Sequence, residues 1–548
     1  MGRKERRQAS KLAKQKKPEK GQRAVSDSAA LFQSAVADFQ AGRLKAAEDA
    51  LDCITRDHSG IPDVFQLRGM IALQSGRKEE AVKFLREGVS ADPQSPGLAD
   101  LLGTALAESG QFEEAETAYR RALNRSPNDA GVLNNLGNVL KKLGRLEDSR
   151  DAYRESLKLR SGHANTEVNF GNVLESLEDF EGAEAAYRRA IDAGADDSDA
   201  HCGLGRMMLA LGKLDELEAP LARALELNPD HAGAHEVLCI KHFLKGRFSD
   251  AWEAYGWRWW KDTDRRQDFT QQVWSGEPVD GKTVLVWGEQ GVGDEILFAG
   301  MVPDLLEAGA TVIMECDKRL IPLFGRSFAG VEYLIRDNAT PATAPKDIDF
   351  QTPSGSLGRW LRPDLDSFPG RESYLVADAE RRDAFRSRYL KGGDDRLVGI
   401  AWTSINPRIG RGKSMPLLAL APLTDIPGIR FVDLQYGDTA EERARFGRQT
   451  GTPIIHDDGI DQMNDLDSFA AQVAAMDLVI SVSNTTVHLS GALGVPTWVM
   501  LPTMPMWRWM AEGEDSPWYP SLRLFRQTEA GEWADVIGRV AAALADFT

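Results

Sequence analysis

The chain has 548 residues and a formal net charge of −17, a length that suits three or four domains. Residues 1–23 hold ten Lys or Arg against two Glu, which leaves about −25 on the rest of the chain. An acidic body argues against a nucleic-acid-binding protein. The four cysteines have no metal-ligand spacing, which predicts reduced thiols and no zinc site: Cys53, Cys202, Cys239 and Cys316.

The N-terminal segment, residues 1–27, is predicted to be a disordered basic tail. It lacks the apolar run of a signal peptide, and no later stretch reaches the length of a membrane span. We therefore expect a cytoplasmic protein with no membrane span and no nucleic-acid partner. Weak binding of the tail to RNA or to an acidic surface is the alternative.

Glycines recur every 34 residues through the first half of the chain, at Gly69, Gly103, Gly137, Gly171 and Gly205. Small residues follow at a second shared position, and prolines close several of the units. This period is typical of tetratricopeptide repeats, in which two antiparallel helices approach closely at small residues. It predicts an α-helical tetratricopeptide-repeat (TPR) solenoid of about seven repeats over residues 28–265.

Two asparagines mark the predicted concave face of this solenoid. Asn135 and Asn169 are one repeat apart, so they stack on the same face, where both can hydrogen-bond an extended peptide. The alternative is a pair of polar residues on a solvated groove. Because solenoids of this kind mostly hold protein segments, we expect a protein partner.

Tryptophans cluster at the end of the predicted array, at Trp252, Trp257, Trp259 and Trp260. An aromatic group of this density indicates a cap that seals the last repeat and packs on the next domain. Stacking on a sugar is the other interpretation. Residues 266–280 are interpreted as a linker.

From residue 281 the pattern changes to short apolar runs that alternate with helical stretches. Two successive sets, separated by a polar passage, predict an α/β domain of two doubly wound Rossmann-like lobes, at 281–392 and 393–548. The predicted strands are 284–288, 311–316 and 331–335 in the first lobe, and 397–402, 430–437, 453–456, 478–482 and 497–501 in the second.

A glycine-containing loop, Gly288–Asp294, follows the first strand of the first lobe. One interpretation is a dinucleotide fingerprint, with Glu315 as the ribose-binding acid, but the glycine spacing does not give G-x-G-x-x-G. The other is a tight turn that brings Asp294 into the cleft at a helix start, where it also caps the helix. An Asp-Ile-Asp at 347–349 has the form of a metal motif and is interpreted as structural.

The second lobe has two candidate ligand elements at the carboxyl ends of its strands. The loop 403–414 is basic and glycine-rich, with Arg408, Arg411 and Lys413. The strand 478–482 runs into a hydroxyl-rich turn and a helix that starts at about Thr485, and a helix start of this kind is a ready phosphate site. An ordinary capped strand–helix–strand unit and a solvated basic loop are the alternatives.

These motifs are EQGVGDEILFA at 289–299, GRGKSMPL at 410–417 and SNTTVHLSGALGVPTWVMLP at 483–502. Together they resemble the GT-B glycosyltransferases of the bacterial heptosyltransferase group. The fusion to TPR units resembles O-linked N-acetylglucosamine transferases and the bacterial repeat-fused transferases that glycosylate flagellin. The segment 506–527 is similar to the tail of those bacterial proteins.

The resemblance implies roles for individual residues. Asp294 would take the acceptor proton, beside Gly291 and Gly293, and Lys413 would meet the donor phosphates, with Arg411 or Arg408 as its replacement. The remaining residues implied to contact the nucleotide are Gln435, Ser483, Asn484, Thr485, Thr486 and His488. O-linked N-acetylglucosamine transferases have a histidine-bearing segment where this chain has 289–294, so the chain departs from the pattern of that family at the position of the catalytic group.

The implied activity is a metal-independent, inverting protein O-glycosyltransferase that uses a nucleotide-sugar donor and no other cofactor. Flagellin is the implied protein substrate, and the implied sugar is a nonulosonic acid such as pseudaminic acid carried on CMP. The alternatives are transfer of a UDP-hexosamine to another protein, a TPR adaptor with an inactive transferase domain, a lipopolysaccharide transferase and a nicotinamide oxidoreductase.

Overall fold

The computed structural model describes residues 20–57, 60–261, 269–336, 347–404 and 411–547, without the side chains of 20–27, 55–57, 260, 261 and 411. Two compact units make up the chain, Met1–Met207 and Met208–Thr548. Arg408 and residues 1–19 of the predicted basic tail lie outside the described residues.

The first unit is built from successive antiparallel helix pairs. Its helices are α1 Lys20–Gln40, α2 Leu44–Asp57, α3 Pro62–Gln74, α4 Lys78–Ala91, α5 Pro96–Glu108, α6 Phe112–Arg125, α7 Ala130–Lys142, α8 Leu146–Leu159, α9 Ala164–Ser176, α10 Phe180–Asp192 and α11 Ser198–Ala210. The predicted helical solenoid is confirmed. Helix α1 begins inside the segment predicted to be a disordered tail, so residues 20–27 are helical.

The periodic glycines let the two helices of a repeat approach each other. A Cβ added at Gly137 would lie 2.8 Å from the Tyr153 ring, and one at Gly103 would lie 2.7 Å from the Tyr119 ring. Any side chain there would push the tyrosine away, because interiors are close-packed. The turn inside each repeat uses a left-handed residue, usually glycine, and Glu178 adopts the same conformation with φ 62°.

The second unit begins with helices that continue the repeat pattern and then forms the α/β region. Its helices are α12 Glu218–Leu227, α13 Ala232–Leu244, α14 Phe248–Tyr255, α15 Arg258–Lys261, α16 Val292–Ala299, α17 Val302–Glu307, α18 Ile321–Ser327, α19 Gly358–Leu361, α20 Ala379–Leu390, α21 Ala440–Thr450, α22 Leu466–Ala474, α23 Thr485–Ala492 and α24 Ala534–Phe547.

Two five-stranded sheets follow, and all their strand pairs are parallel. The first has the order β1-β5-β2-β3-β4 and the second the order β10-β9-β8-β6-β7. The strands are β1 Gln272–Val273, β2 Thr283–Trp287, β3 Thr311–Cys316, β4 Glu332–Ile335, β5 Phe350–Pro353, β6 Arg396–Ala401, β7 Ile429–Asp433, β8 Leu478–Val482, β9 Thr497–Leu501 and β10 Leu522–Arg526. The predicted α/β region with parallel sheets is confirmed.

One predicted strand is wrong and three strands were missed. Residues 453–456 make a single bridge, between Ile455 and Val432, because Pro453 has no N–H to extend the pairing. The missed strands are β1, which lies in the predicted linker, and β5 and β10. β1 and β5 have too few apolar residues to show a pattern, and β10 is a five-residue run that mixes apolar residues with two arginines.

One hydrophobic core joins the last helical pair to both sheets. It contains Phe243 and Trp252 of α13 and α14, Val286 of β2 and Val499 of β9. The Trp252 indole donates a 2.8 Å hydrogen bond to the Arg362 carbonyl. The tryptophan-bearing helix therefore packs into the α/β region, as its aromatic content predicts.

Candidate functional site

The candidate site lies at the carboxyl ends of the parallel strands. In the second sheet the strand order reverses between β6 and β8. Ligands of open parallel sheets bind beside such a reversal, in the crevice outside the strand ends. The residues that leave these two strands are Trp402 and Ser483, so the loops predicted from the sequence are adjacent in the fold.

Helix α16 of the first lobe meets the start of α23 in the second. A Cβ added at Gly293 would lie 3.1 Å from His488 Cδ2 and 3.6 Å from Thr485 Oγ1. Only a glycine allows this approach without displacement of a neighbour. Gly291 caps α16 in an extended conformation, and its N–H lies 3.4 Å from Asp294 Oδ2.

Asp294 forms an ion pair with Arg508, a contact between the two lobes. Arg508 lies on a single 3-10 turn, Trp507–Trp509, and is 8% exposed. The sequence analysis did not predict that Arg508 belongs to the site, because this arginine lies in a tryptophan-rich segment with no recognisable site motif. The only sequence signal for Arg508 is its position between two aromatic residues, and this signal does not predict a site without the fold.

Lys413 is buried in the same cluster, 7% exposed, at the end of a 3-10 turn. Burial lowers the pKa of its ammonium group to about 8, the positive charge of Arg508 adds to this, and the negative charge of Asp294 opposes it. These three side chains are therefore close enough for their charges to interact. The Arg411 side chain is not described.

The start of α23 is held by hydrogen bonds to the loop after β6. Asn484 is the N-cap in an extended conformation. Its Nδ2 donates to the Thr403 carbonyl over 3.2 Å, and its Oδ1 accepts from Ser481 Oγ at the same distance. The first N–H groups of a helix have no partner within the helix, so this end presents donors to an anion.

The other predicted residues of this turn are engaged in the fold. Ser483 Oγ accepts a 2.7 Å hydrogen bond from the Trp509 indole, and Thr486 is buried with its Oγ1 3.4 Å from the Leu434 carbonyl. Thr485 is partly exposed at the first position of the helix. Of the two predicted threonines, Thr485 is thus the one open to a ligand.

His488 is buried and neutral. Its Nδ1 lies 3.0 Å from the Tyr519 hydroxyl, and its ring stacks on Trp509 with centroids 5.3 Å apart. Burial lowers its pKa well below the ordinary value, and the charges of Arg508 and Lys413 add to this shift. His488 therefore contributes no positive charge to the site.

Gln435 supports the loop after β6. Its Oε1 accepts hydrogen bonds from the backbone N–H groups of Trp402 and Thr403, over 3.0 and 2.9 Å, and its Nε2 donates to the Tyr436 carbonyl. The sequence predicted contact with the nucleotide. In the structure the side chain holds the loop in place, and the contact with the nucleotide stays a prediction.

In the first unit, Asn135 and Asn169 are both partly buried on successive repeats. Asn135 Oδ1 accepts a hydrogen bond from Asn134 Nδ2 at 3.4 Å. A second repeating pair was missed: Asn138 and Asn172 accept hydrogen bonds from the hydroxyls of Tyr153 and Tyr187, respectively. Its 34-residue spacing is visible in the sequence.

Chemically, the cluster combines one carboxylate, two buried cations and a helix start. The carboxylate of Asp294 is suited to accept a proton, and Lys413 with the α23 N–H groups is suited to hold a phosphate. Within the described ranges, no group of three His, Cys, Asp or Glu side chains could hold a metal ion. No helix in the same ranges is long and apolar enough to cross a membrane.

Comparison with known proteins identifies the repeats. Tetratricopeptide repeat families match residues 62–95, 101–164 and 168–232. Protein FlbA of Caulobacter vibrioides is 37% identical over 319 residues, which are 55% of this chain and 53% of the relative. The chain thus spans about half the length of this curated relative.

Several solved structures are similar to part of the chain. PilF of Pseudomonas aeruginosa is 16% identical, covering 39% of this chain and 97% of its own, with a TM-score of 0.36. YrrB, described as a TPR protein with an unusual peptide-binding site, is 16% identical over 34% of this chain and 95% of its own, with a TM-score of 0.31.

The family matches and the fold together show which two kinds of structure the protein contains. It carries tetratricopeptide repeats, a class of solenoid that mostly holds protein segments, and its C-terminal α/β region contains two parallel sheets.

Proposed function

We propose that the chain is an inverting protein O-glycosyltransferase with a GT-B arrangement, which moves a sugar from a nucleotide-sugar to a serine or threonine of a protein held by the repeats. The observation that carries the proposal is the meeting of Asp294, from the first lobe, with the cations and helix start of the second. The motif resemblance to GT-B transferases supports it independently.

The proposed chemistry needs a base and a site for the leaving phosphate. The carboxylate of Asp294 takes the proton of the acceptor hydroxyl, which attacks the anomeric carbon from the face opposite the phosphate, so the centre inverts. Lys413 and the N–H groups at the start of α23 stabilise the negative charge on the departing phosphate. The positive electrostatic potential at the leaving phosphate thus comes from Lys413 and the backbone of α23.

The proposed substrates come from the resemblance. Flagellin is the protein to test first, in the cytoplasm, because the bacterial repeat-fused transferases with these motifs act on it. The proposed sugar is a nonulosonic acid on CMP, and a UDP-hexosamine is the alternative donor. The asparagines of the repeats, Asn135 and Asn169, are proposed to contact the protein substrate's backbone.

The proposal is tested by intact-mass spectrometry of flagellin co-expressed with this chain and with the enzymes that make the donor. A sugar-sized mass gain that Asp294→Ala abolishes supports it, and the size of the gain identifies the sugar class. Asp383→Ala, an exposed aspartate on α20 far from the cluster in sequence, is the matched control. Flagellin that stays unmodified while the donor is present contradicts the proposal.

One observation favours a second candidate, an adaptor that binds protein without transfer. Asp294 is ion-paired with Arg508, so the carboxylate that would act as the base is engaged by a cation. An adaptor would keep its cellular function after Asp294→Ala and lose it when the repeats are altered.

A further inference from the structure

The loop that carries Asp294 contains a residue in an unfavourable backbone conformation. Gln290 has φ 60°, in the left-handed region that residues other than glycine seldom adopt. Such a conformation persists only where the surrounding structure holds it. Gln290 directly precedes Gly291, which caps α16 and whose N–H lies 3.4 Å from Asp294 Oδ2. The conformation of Gln290 therefore sets how the loop enters α16 and where the Asp294 carboxylate lies.

Two side chains of the tryptophan cap, residues 252–260, hold this loop. The Glu289 carboxylate accepts hydrogen bonds from Arg258 Nε over 2.7 Å and from Arg258 Nη2 over 2.8 Å, so the guanidinium binds both oxygens. Gln290 Nε2 donates to the Tyr255 hydroxyl over 2.5 Å. Successive residues of the loop are thus tied to the end of α14 and the start of α15.

Arg258 is itself fixed on its other sides. Its guanidinium carbon lies 4.1 Å from the centre of the Tyr255 ring and 4.3 Å from that of the Trp259 ring. Its Nη1 donates to the Tyr255 carbonyl over 2.9 Å, and its Nη2 donates to Ser356 Oγ over 2.8 Å. A guanidinium between aromatic faces and fixed acceptors gives the carboxylate of the loop a rigid partner.

Burial makes this partner necessary. The side chains of Glu289 and Arg258 are 4% and 15% exposed, respectively. Glu289 Oε1 also accepts a 2.8 Å hydrogen bond from the Gly355 N–H, but this donor carries no charge. A buried carboxylate that loses its cation is strongly unfavourable, so without Arg258 the loop shifts to bring Glu289 towards water.

We propose that Arg258 is a positioning residue for sugar transfer, which acts through Glu289 and Gln290 to keep the Asp294 carboxylate in place. This inference rests on the proposed function. The donor phosphate is proposed to lie on the second lobe, at Lys413 and the start of α23. Loss of Arg258 therefore slows the chemical step and leaves donor binding unchanged.

The test measures kcat and the donor KM for transfer to purified flagellin by the full chain. The donors are CMP-pseudaminic acid and, in parallel, UDP-N-acetylglucosamine. We expect Arg258→Gln to lower kcat about 10- to 100-fold, the size of effect that a small misplacement of a catalytic group produces, with KM unchanged.

A combined variant separates positioning from a merely structural role. In Asp294→Asn the group that Arg258 positions is no longer a base. Arg258→Gln should therefore cause no further fall in the single-turnover rate in that background. A purely structural Arg258 would lower the rate by the same factor in both backgrounds.

Two further variants control for folding. Arg258→Lys keeps a positive charge beside Glu289 but not the planar guanidinium, so it should lower kcat less than Arg258→Gln does. Arg362→Gln is the matched control, because it removes a buried guanidinium that binds both oxygens of Asp304 on α17. It should lower the melting temperature and leave kcat unchanged. Thermal melting verifies that each variant is folded at the assay temperature.

Three outcomes would overturn the inference. The first is a wild-type kcat in folded Arg258→Gln and Arg258→Lys, and the second is an equal fractional loss of rate with and without Asp294→Asn. In either case the wild-type chain transfers sugar, so the proposed transferase stands. The third is no transfer by the folded wild-type chain with either donor, which contradicts the proposed function as well.

Discussion

The repeats and the α/β cluster differ in how they position polar groups: the repeats use the same contact several times, and the cluster forms once. In the repeats, Asn138 and Asn172 make the same hydrogen bond to a tyrosine one repeat apart. In the cluster, Asp294, Lys413 and Arg508 come from three distant segments and meet once. A periodic surface spreads its contacts over equivalent positions, so single changes there should be milder than changes in the cluster.

The largest expected effect is in the cluster, whose side chains occur once in the fold. Asp294→Asn removes the proposed base but keeps the size of the side chain, so sugar transfer should fall about 10²- to 10⁴-fold. Binding of the protein substrate to the repeats should not change. The measurement is a single-turnover rate with purified acceptor, alongside an affinity measurement for that acceptor. Transfer at the wild-type rate would show that the base lies elsewhere.

The next effect concerns pH. Because burial lowers the pKa of Lys413 to about 8, its ammonium group loses its proton as the pH rises through that value. An anion binds the protonated form, so UMP affinity should be nearly constant around pH 7, above the second phosphate pKa of about 6, and fall above pH 8, by at most about tenfold per pH unit. Lys413→Met should bind UMP weakly with no such fall. An unchanged affinity between pH 7 and 10 would place the phosphate away from Lys413.

A smaller effect is expected in the repeats, where one substitution should lower stability. Gly137→Ala places a Cβ 2.8 Å from the Tyr153 ring and should lower the free energy of unfolding by about 1–3 kcal/mol. Gly97→Ala is the matched control, because a Cβ there meets nothing within 4 Å inside helix α5. It should be neutral or raise stability by up to about 1 kcal/mol. Urea unfolding measures both, and equal effects would refute the packing role of Gly137.

The smallest effect concerns the one interruption of the glycine pattern. Glu178 is left-handed, with φ 62°, where six other repeats have glycine. Glu178→Gly relieves that strain and should raise the free energy of unfolding by about 1 kcal/mol, with sugar transfer unchanged. The same urea titration detects it. A loss of stability would mean that the Glu178 side chain makes a contact worth more than the strain.

Much of the fold was predictable because its signals are local or periodic. The glycine period predicted the helix pairs, and the apolar runs at 311–316, 478–482 and 497–501 coincide with β3, β8 and β9. β1 and β5 were not predictable, since each is a short edge or inner strand whose identity depends on pairing with a strand distant in the sequence.

The candidate site divides in the same way. Gly293 and Asp294 were predicted as site residues from a loop after a strand, and the structure places Gly293 next to His488. Arg508 was not predicted, because an arginine between two tryptophans has many structural roles. The predicted contact of Gln435 with the nucleotide stays a prediction, and its hydrogen bonds to Trp402 and Thr403 could not be predicted because the sheet brings those backbone groups near.

The sequence by itself determined the repeat period, the change from helical to α/β pattern and the loops that end the strands, because each depends on residues close together in the chain. Only the tertiary structure decided which charges meet. The pairing of Asp294 with Arg508, the lowered pKa of Lys413 and the neutrality of His488 all follow from burial and from distances between segments far apart in sequence.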